Sequence, residues 1–146
     1  MKKKLTKVYV GGTFDLFHEG HVRLLRRAKK IADIVIVALN TDAFVLHYKG
    51  KLPVMSLAER MAVVKACRYV DIVDVNEGGA DSKPCILRNM PDFILHGDDW
   101  KGDALLRQLS ISTQFLKTHR IRMVYVRYTK RISTTALKER LKKQLL

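Results

Sequence analysis

Two histidines are the residues of this sequence best suited to carry out chemistry. His18 and His21 stand three positions apart within residues 11–21, GGTFDLFHEGH, a spacing that places both imidazoles on the same side of a helix entrance. Backbone N–H groups and the positive end of the helix dipole attract anions at such an entrance. Residues 11–21 therefore predict a phosphate site, at which Gly20 is expected to let a phosphate approach the backbone closely.

Alternating strand and helix patterns surround this stretch and must position it. Gly11 and Gly12 are predicted to form the turn between the first strand and the first helix, and residues 47–53 a polar loop that carries two lysines. The strands are predicted at residues 8–10, 34–39, 72–75, 93–96 and 123–126, and the helices at 22–28, from the Ser56 capping box to about 67, at 84–90, within 102–118, and at 134–144 behind a Ser133 or Thr134 cap. This alternation predicts an α/β, Rossmann-like domain with a five-stranded parallel sheet flanked by helices.

Composition limits the class of protein. The 146 residues, 47% of them hydrophobic, are expected to form one domain spanning residues 1–146, and no apolar run approaches the roughly 20 residues of a membrane span. Cys67 and Cys85 lack any ligand spacing, which indicates reduced thiols in a cytoplasmic protein. The net charge of +14 suits a nucleic acid or a small polyphosphate; the basic residues are spread along the chain without interleaved aromatics, which disfavours nucleic acid.

Polar segments follow the predicted strands at their carboxyl ends, where open parallel sheets bind ligands. Together these segments supply histidine, lysine, arginine, aspartate and hydroxyl groups, an inventory that suits phosphoryl or nucleotidyl transfer. The sequence contains no P-loop, no Gly-x-Gly-x-x-Gly and no nucleophile elbow. The segments lie at residues 11–21, 40–42 with Lys49 and Lys51, 97–100 and 127–135.

Residues 12–21 resemble the His-x-Gly-His signature of the cytidylyltransferase family. Arg127 with residues 132–135 resembles the second signature of that family, Arg-Thr-Glu-Gly-Ile-Ser-Thr-Thr, and matching residues between the two extend the resemblance from about residue 7 to residue 141. The resemblance implies transfer of CMP from CTP to a phosphorylated alcohol with release of pyrophosphate. It also implies that Mg²⁺ arrives bound to the triphosphate, and no residue of the chain is identified as a metal ligand. The resemblance further implies that the protein forms a homodimer.

The resemblance also implies a role for each matching residue. Asp15 is expected to orient a neighbouring loop, since an attacking phosphate is already ionised and needs no general base. The expected catalytic residues are His18, His21, Lys51, Arg127, Ser133 and Thr134; the nucleotide-binding residues are Gly12, Thr13, Phe14, Lys49, Asp98, Arg131 and Thr135; and the residues on the acceptor side are Asp15, Asp42, Arg60 and Trp100.

Two departures from the family pattern leave alternatives open. The segment from Arg127 to Ser133 has one extra residue and Arg131 in place of the usual glycine, so either arginine is a candidate for the phosphate contact. Members that act on choline or ethanolamine phosphate carry Asp-Gly where this chain has Gly11-Gly12, which favours a neutral or anionic acceptor such as glycerol 3-phosphate. Residues 51–56 and 67–71 are nonetheless closer to the ethanolamine-phosphate members.

Three other functions compete with this interpretation. The first is cytidylyl transfer to ethanolamine phosphate or a phosphonate. The second is adenylyl transfer to FMN or a sugar phosphate by an enzyme of the same superfamily. The third, of another class, is a protein that binds nucleotides or nucleic acid without catalysis, against which the intact His18 and His21 weigh.

Overall fold

Five parallel strands form one sheet in the part of the chain that the computed structural model describes, residues 1–99 and 101–146. The strands are β1 (Lys7–Gly12), β2 (Ile34–Asn40), β3 (Ile72–Asn76), β4 (Phe93–Gly97) and β5 (Arg122–Val126). They lie in the order β3-β2-β1-β4-β5, and every neighbouring pair is parallel. The predicted Rossmann-like α/β class is confirmed, and each predicted strand lies inside an observed one.

Seven helices accompany the sheet in the described residues. They are α1 (Glu19–Ile31), α2 (Asp42–Lys49), α3 (Leu57–Lys65), α4 (Lys83–Asn89), α5 (Gly102–Leu109), α6 (Thr113–Thr118) and α7 (Thr134–Leu145). Helices α1 and α3 bury apolar side chains against one face of the sheet, and α4 and α5 against the other. Every residue of α7 is described and none of them is buried.

Alternation along the strands divides the core between the two faces. Val8 and Val10 of β1 pack with Leu25 of α1, whereas Tyr9 packs with Ile86 of α4 on the opposite face. Residues 35–39 of β2 are buried without interruption, as predicted for a strand covered on both sides. The sheet is therefore a rigid layer between two sets of helices, and its loops at the carboxyl ends are held by it.

The direction of strand addition reverses between β1 and β4. From β1 the chain adds β2 and β3 on one side, and then crosses over to add β4 and β5 on the other. In open parallel sheets, ligands bind in the crevice outside the strand ends at such a reversal. The crevice here lies beyond Gly12 at the end of β1 and Gly97 at the end of β4.

The first two glycines of residues 11–21 belong to β1 and not to the turn. Gly11 and Gly12 pair with Ala38 and Leu39 of β2. A Cβ on Gly12 would lie 2.9 Å from the Phe14 ring, and one on Gly11 would lie 3.2 Å from the Tyr9 ring. Glycine is therefore required here for space beside aromatic rings, and the turn begins only at residue 13.

Two helix boundaries also differ from the predicted ones. The predicted loop at residues 47–53 begins as helix, because α2 continues to Lys49 and ends at Gly50, whose φ of 73° is left-handed. The predicted helix within 102–118 is two helices, since Ser110 adopts a left-handed φ of 55° and Ser112 then caps α6 by accepting from the Phe115 N–H. Lys49 therefore stands on a helix end rather than on a flexible loop.

The remaining sequence predictions concern cysteines and the membrane. Cys67 and Cys85 are unpaired, and Cys85 is buried between β1 and α4. Within the described residues, no helix combines the length and the apolar character that crossing a membrane requires.

Candidate active site

Two connected cavities open at the carboxyl ends of the strands. The small cavity, of about 230 Å³, lies between α1, the ends of β4 and β5, and residues 127–134. The larger one, termed here the groove, measures about 1350 Å³ and follows the ends of β1, β2 and β3 and the flanks of α2 and α7. Both are lined by Gly11, His21, His96, Asp99 and Thr134. The two cavities therefore adjoin each other at His21.

His18 and His21 are held by hydrogen bonds to the backbone at the start of α1. His18 is the N-cap residue, and its Nδ1 accepts from the Gly20 N–H at 3.1 Å. The His21 Nδ1 accepts in return from the His18 N–H at 3.2 Å. Because Nδ1 of each neutral ring accepts, the ring proton lies on Nε2. Each imidazole thus has a fixed orientation and a defined Nε2–H donor at a cavity that both rings line.

Both imidazoles are neutral at physiological pH. The rings are stacked with centroids 3.8 Å apart. Burial lowers the pKa of His18, and burial together with the neighbouring His18 lowers the pKa of His21 to about 3. A neutral pair avoids repulsion between the two rings, and its Nε2–H groups can still donate to phosphate oxygens.

Gly20 provides the space for the His18 ring. A Cβ at this position would lie 2.9 Å from Cε1 and 3.0 Å from Nδ1 of His18. The absence of a side chain at Gly20 is therefore also required by the imidazole itself, and the approach of a phosphate to this backbone stays a prediction. Gly20 therefore leaves the space in which the His18 ring can lie as the N-cap residue.

The variant Gly20→Ala is expected to lower catalytic activity while changing the stability of the fold only slightly. The alanine removes the conformational cost of glycine in a helix, about 1 kcal/mol at most, but it displaces the His18 ring. We expect kcat/KM to fall about 10-fold or more, since a small misplacement of a catalytic group has a large effect, with thermal stability changed by only a few degrees. Steady-state kinetics and thermal denaturation measure the two effects, and a variant with unchanged kinetics would show that the ring tolerates the shift.

The start of α7 is joined to the loop after β1. Ser133 caps α7 by accepting from the Ala136 N–H at 3.0 Å, as predicted, and the Thr134 Oγ1 donates to the Asp15 carbonyl at 2.9 Å. The Lys138 Nζ, one helical turn further on, lies 3.8 Å from the Asp15 carboxylate. The two segments that resemble the family signatures, 119 residues apart in the chain, therefore meet directly.

Asp15 fixes the segment that precedes α3. Its carboxylate is buried and accepts from the Val54 and Met55 N–H groups at 2.8 and 2.9 Å. This geometry agrees with the expectation that Asp15 orients a neighbouring loop. Both carboxylate oxygens accept backbone N–H groups, so Asp15 is a positioning residue for the segment before α3, and its place on the acceptor side stays a prediction.

Arg60 is fully buried and holds three loops together. Its Nη1 donates to the Thr13 and Asn40 carbonyls at 2.8 and 2.9 Å, its Nε donates to the Met55 carbonyl at 3.2 Å, and its Nη2 pairs with Asp42. Asp42 also accepts from the Leu57 N–H at the start of α3. The predicted contact of Arg60 with an acceptor is thus corrected, because the buried side chain joins the loop after β1 to the end of β2 and the segment before α3. Asp42 is partly exposed, and its contact with an acceptor stays a prediction.

The remaining predicted residues line the small cavity, the groove or neither of them. Arg127 lines the small cavity with Ser133 and Thr134, whereas the exposed Arg131 lies outside both cavities. Asp98 accepts from the Tyr128 N–H at 2.7 Å and so ties the loop after β5 to the end of β4. Trp100 lies outside the described residues. The other predicted residues line the groove: Gly12, Thr13, Phe14, Lys49, Lys51 and Thr135.

Three further residues of the site were not assigned roles from the sequence. His96 is the penultimate residue of β4 and lines both cavities, Asn76 ends β3 at the groove, and Lys138 lies beside Asp15. Their positions carried a signal: two lie at strand carboxyl ends, and Lys138 stands four residues after Thr134 on the same helical face. In the described residues no group of three or more His, Cys, Asp or Glu side chains is arranged to hold a metal ion.

Comparison with known proteins agrees with this geometry. Residues 9–140 match the family model described as cytidylyltransferase-like. The chain is 38% identical over 135 residues to the glycerol-3-phosphate cytidylyltransferase of Bacillus subtilis (strain 168), covering 92% of this chain and 96% of the relative. It is 36% identical over 135 residues to the FAD synthase of Pyrococcus horikoshii, covering 92% and 91%.

A solved structure supports the fold alone. The crystal structure of the lipopolysaccharide core biosynthesis protein from Thermoplasma volcanium GSS1 matches with a TM-score of 0.73 at 24% identity, over 87% of this chain and 100% of the other. The family model extends over nearly the whole chain and includes the histidine pair and the start of α7 that meet at the crevice. The protein is therefore a member of the cytidylyltransferase-like family of nucleotidyltransferases.

Proposed function

We propose that this protein transfers CMP from CTP to glycerol 3-phosphate, producing CDP-glycerol and pyrophosphate. The observation that carries the proposal is the pair of neutral, backbone-fixed imidazoles at the N-terminus of α1, at the strand reversal of the sheet. The likeness to a glycerol-3-phosphate cytidylyltransferase over nearly all of both chains supports both the donor and the acceptor.

The chemistry is a displacement at the α-phosphorus of CTP. A phosphate oxygen of glycerol 3-phosphate forms the new bond to that phosphorus, and the bond to the bridging oxygen of the β-phosphate breaks. Negative charge accumulates on the oxygens of the reacting phosphate and on the leaving pyrophosphate. His18 and His21 donate through Nε2–H to these oxygens, where fixed donors stabilise a transition state at no cost in reorganisation. The acceptor phosphate is already ionised, so no general base is needed.

Cationic groups on both sides of the histidines neutralise the triphosphate. Lys49 and Lys51 stand at the rim of the groove and are exposed, so each is available to a ligand. Ser133 and Thr134 begin α7, whose N-terminus favours an anion. Arg127 is the arginine that we assign to the phosphates, because it lines the cavity shared with His18.

The two candidate arginines respond differently to substitution. We expect Arg127→Ala to lower kcat/KM about 100-fold, since charge-assisted hydrogen bonds to phosphate are lost, and Arg131→Ala to lower it less than about 5-fold. Steady-state kinetics with CTP as the varied substrate measures both. The reverse order of the two effects would assign the phosphate contact to Arg131.

Further properties accompany this proposal. Mg²⁺ enters as part of the Mg–CTP substrate, bound mainly by phosphate oxygens and water. The homodimer and the cytoplasmic location implied by the sequence stay predictions. Light scattering on the purified protein gives the oligomeric state, and a monomer at assay concentration would exclude the dimer.

Adenylyl transfer to FMN is the second candidate, favoured by the likeness to an FAD synthase. Pyrophosphate release from CTP, ATP, GTP and UTP, each with glycerol 3-phosphate, ethanolamine phosphate, choline phosphate or FMN, separates the two functions. We expect the highest kcat/KM for CTP with glycerol 3-phosphate. FAD formation from ATP and FMN at a higher kcat/KM would overturn the proposal, and so would the absence of turnover with every pair.

A further inference from the structure

Asn76 is a buried amide with one unused hydrogen-bonding atom. The residue ends β3, is 4% exposed and lines the groove. Its Nδ2 donates to the Gly79 carbonyl at 3.0 Å and lies 3.5 Å from the Ser82 Oγ. Its Oδ1 is the one buried side-chain oxygen or nitrogen without a hydrogen-bond partner among the described residues. Leaving such an acceptor unpaired is unfavourable, so a donor bound at this oxygen would be stabilising.

The groove connects Asn76 to the reacting centre. Asn40 ends β2 directly beside Asn76 in the parallel register, and its Nδ2 lies 3.4 Å from the Thr13 Oγ1. Thr13 follows β1 in the loop that leads to His18, and all of Thr13, Asn40 and Asn76 line the groove. The groove therefore presents both His21 and these two neutral amides to a substrate bound in it.

The charges around the groove decide which donor suits Asn76. Among the described residues, three carboxylates line the groove, and none of them lies at the ends of β2 or β3. They are Asp15 in the loop after β1, Asp99 after β4 and Glu139 on α7. Both oxygens of Asp15 already accept backbone N–H groups. The lining residues at the ends of β2 and β3 and in the following loop are Asn40, Asn76, Gly79, Ala80 and Ser82. An ammonium group beside them would be desolvated without a counter-charge, whereas a hydroxyl would not.

We propose that Asn76 is a specificity-determining residue whose Oδ1 accepts a hydrogen bond from a hydroxyl of the acceptor alcohol. The inference rests on the proposed function and deepens it, because it assigns the acceptor to the phosphorylated polyols by a contact of this chain. The contact between Nδ2 and the Gly79 carbonyl fixes the orientation of the amide. The group that remains free is therefore Oδ1, which can only accept a hydrogen bond. A cationic acceptor such as ethanolamine phosphate is disfavoured at the same position.

Substrates that lack one hydroxyl test the contact. Glycerol 3-phosphate is compared with 2-hydroxypropyl phosphate and 3-hydroxypropyl phosphate, using the wild type and Asn76→Ala. For the wild type we expect kcat/KM to be about 5–10-fold lower with one analogue, the effect of one hydrogen bond. Asn76→Ala is expected to lose the same factor with glycerol 3-phosphate, to abolish the discrimination, and to keep the KM for CTP.

Two control variants exclude a purely structural effect. Ser82→Ala removes the weaker partner of the Asn76 amide and leaves Oδ1 in place, so we expect it to keep the wild-type discrimination. Asn76→Asp retains size and an acceptor oxygen but adds a carboxylate. We expect it to raise the ratio of kcat/KM for ethanolamine phosphate to that for glycerol 3-phosphate about 10-fold, and it also serves as the variant if Asn76→Ala does not fold.

The outcomes separate the two proposals. Failure of the wild type to use glycerol 3-phosphate overturns the proposed function, and this inference with it, before any variant is made. An active wild type whose preference among the three alcohols persists in Asn76→Ala, or is absent from the start, overturns the role of Asn76 alone. An unchanged ratio in Asn76→Asp has the same meaning.

Discussion

His18→Asn lowers kcat/KM for nucleotidyl transfer by about 100- to 1000-fold and leaves the stability of the fold nearly unchanged. Asparagine is as good an N-cap residue as any, and its Oδ1 replaces the Nδ1 that accepts from the Gly20 N–H. The variant removes the Nε2–H, and loss of one fixed donor to a transition-state oxygen has an effect of this size. Pre-steady-state and steady-state kinetics measure the loss, and thermal denaturation measures the stability.

Two further variants distinguish the loss of an Nε2–H donor from the loss of the helix cap. His18→Ala removes the donor and the cap together, so we expect the same loss of activity with a further destabilisation of about 1 kcal/mol. His21→Asn keeps an acceptor for the His18 N–H, removes the second Nε2–H, and is expected to be as impaired as His18→Asn. Wild-type turnover in either asparagine variant would exclude that imidazole as a donor to the reacting phosphate.

Arg60→Met lowers the free energy of unfolding by about 3 kcal/mol. The arginine is fully buried, and its loss leaves the Thr13, Asn40 and Met55 carbonyls without their donor. Unpaired buried polar groups together cost this much, and the ion pair with the partly exposed Asp42 adds little to the loss. Arg60→Lys is expected to restore only part of the loss, since one ammonium cannot replace the planar fork. Urea denaturation measures all of these variants.

A matched control uses an arginine at the surface. Arg26 of α1 is exposed, and Arg26→Met is expected to change stability by less than about 0.5 kcal/mol. If Arg60→Met were as stable as Arg26→Met, the loops after β1 and β2 would not depend on the buried guanidinium. We expect kcat/KM to fall in Arg60→Met as well, because the loop that carries Thr13 loses its anchor.

The strands and most helices were predictable because they follow from local patterns. Residues 34–39 are apolar without interruption, and Ser56 and Glu59 form the predicted capping box. The strand order was not predicted, but the position of ligand-binding loops at the strand ends follows for any open parallel sheet. The convergence of residues 11–21 with residues 127–135 was therefore expected without a structure.

The errors arose where distant side chains decide local structure. Gly11 and Gly12 have the composition of a turn, and only the nearby Tyr9 and Phe14 rings explain glycine within β1. Arg60 follows a capping-box glutamate, a position typical of a surface residue, and its burial depends on carbonyls from three separate loops. The break at Ser110 depends on a left-handed residue that is not glycine, for which the sequence carries no signal.

Helix α7 begins at the small cavity, which Ser133 and Thr134 line, but it has no buried residue. Elements with few buried contacts open locally at a lower free energy than the sheet they rest on. The amide protons of α7 are therefore expected to exchange with solvent well before those of β1 and β2, a difference that hydrogen-exchange mass spectrometry resolves. Activity in mild denaturant should then disappear before the sheet unfolds, so that it reports the order of the last twelve-residue helix and not the integrity of the whole domain.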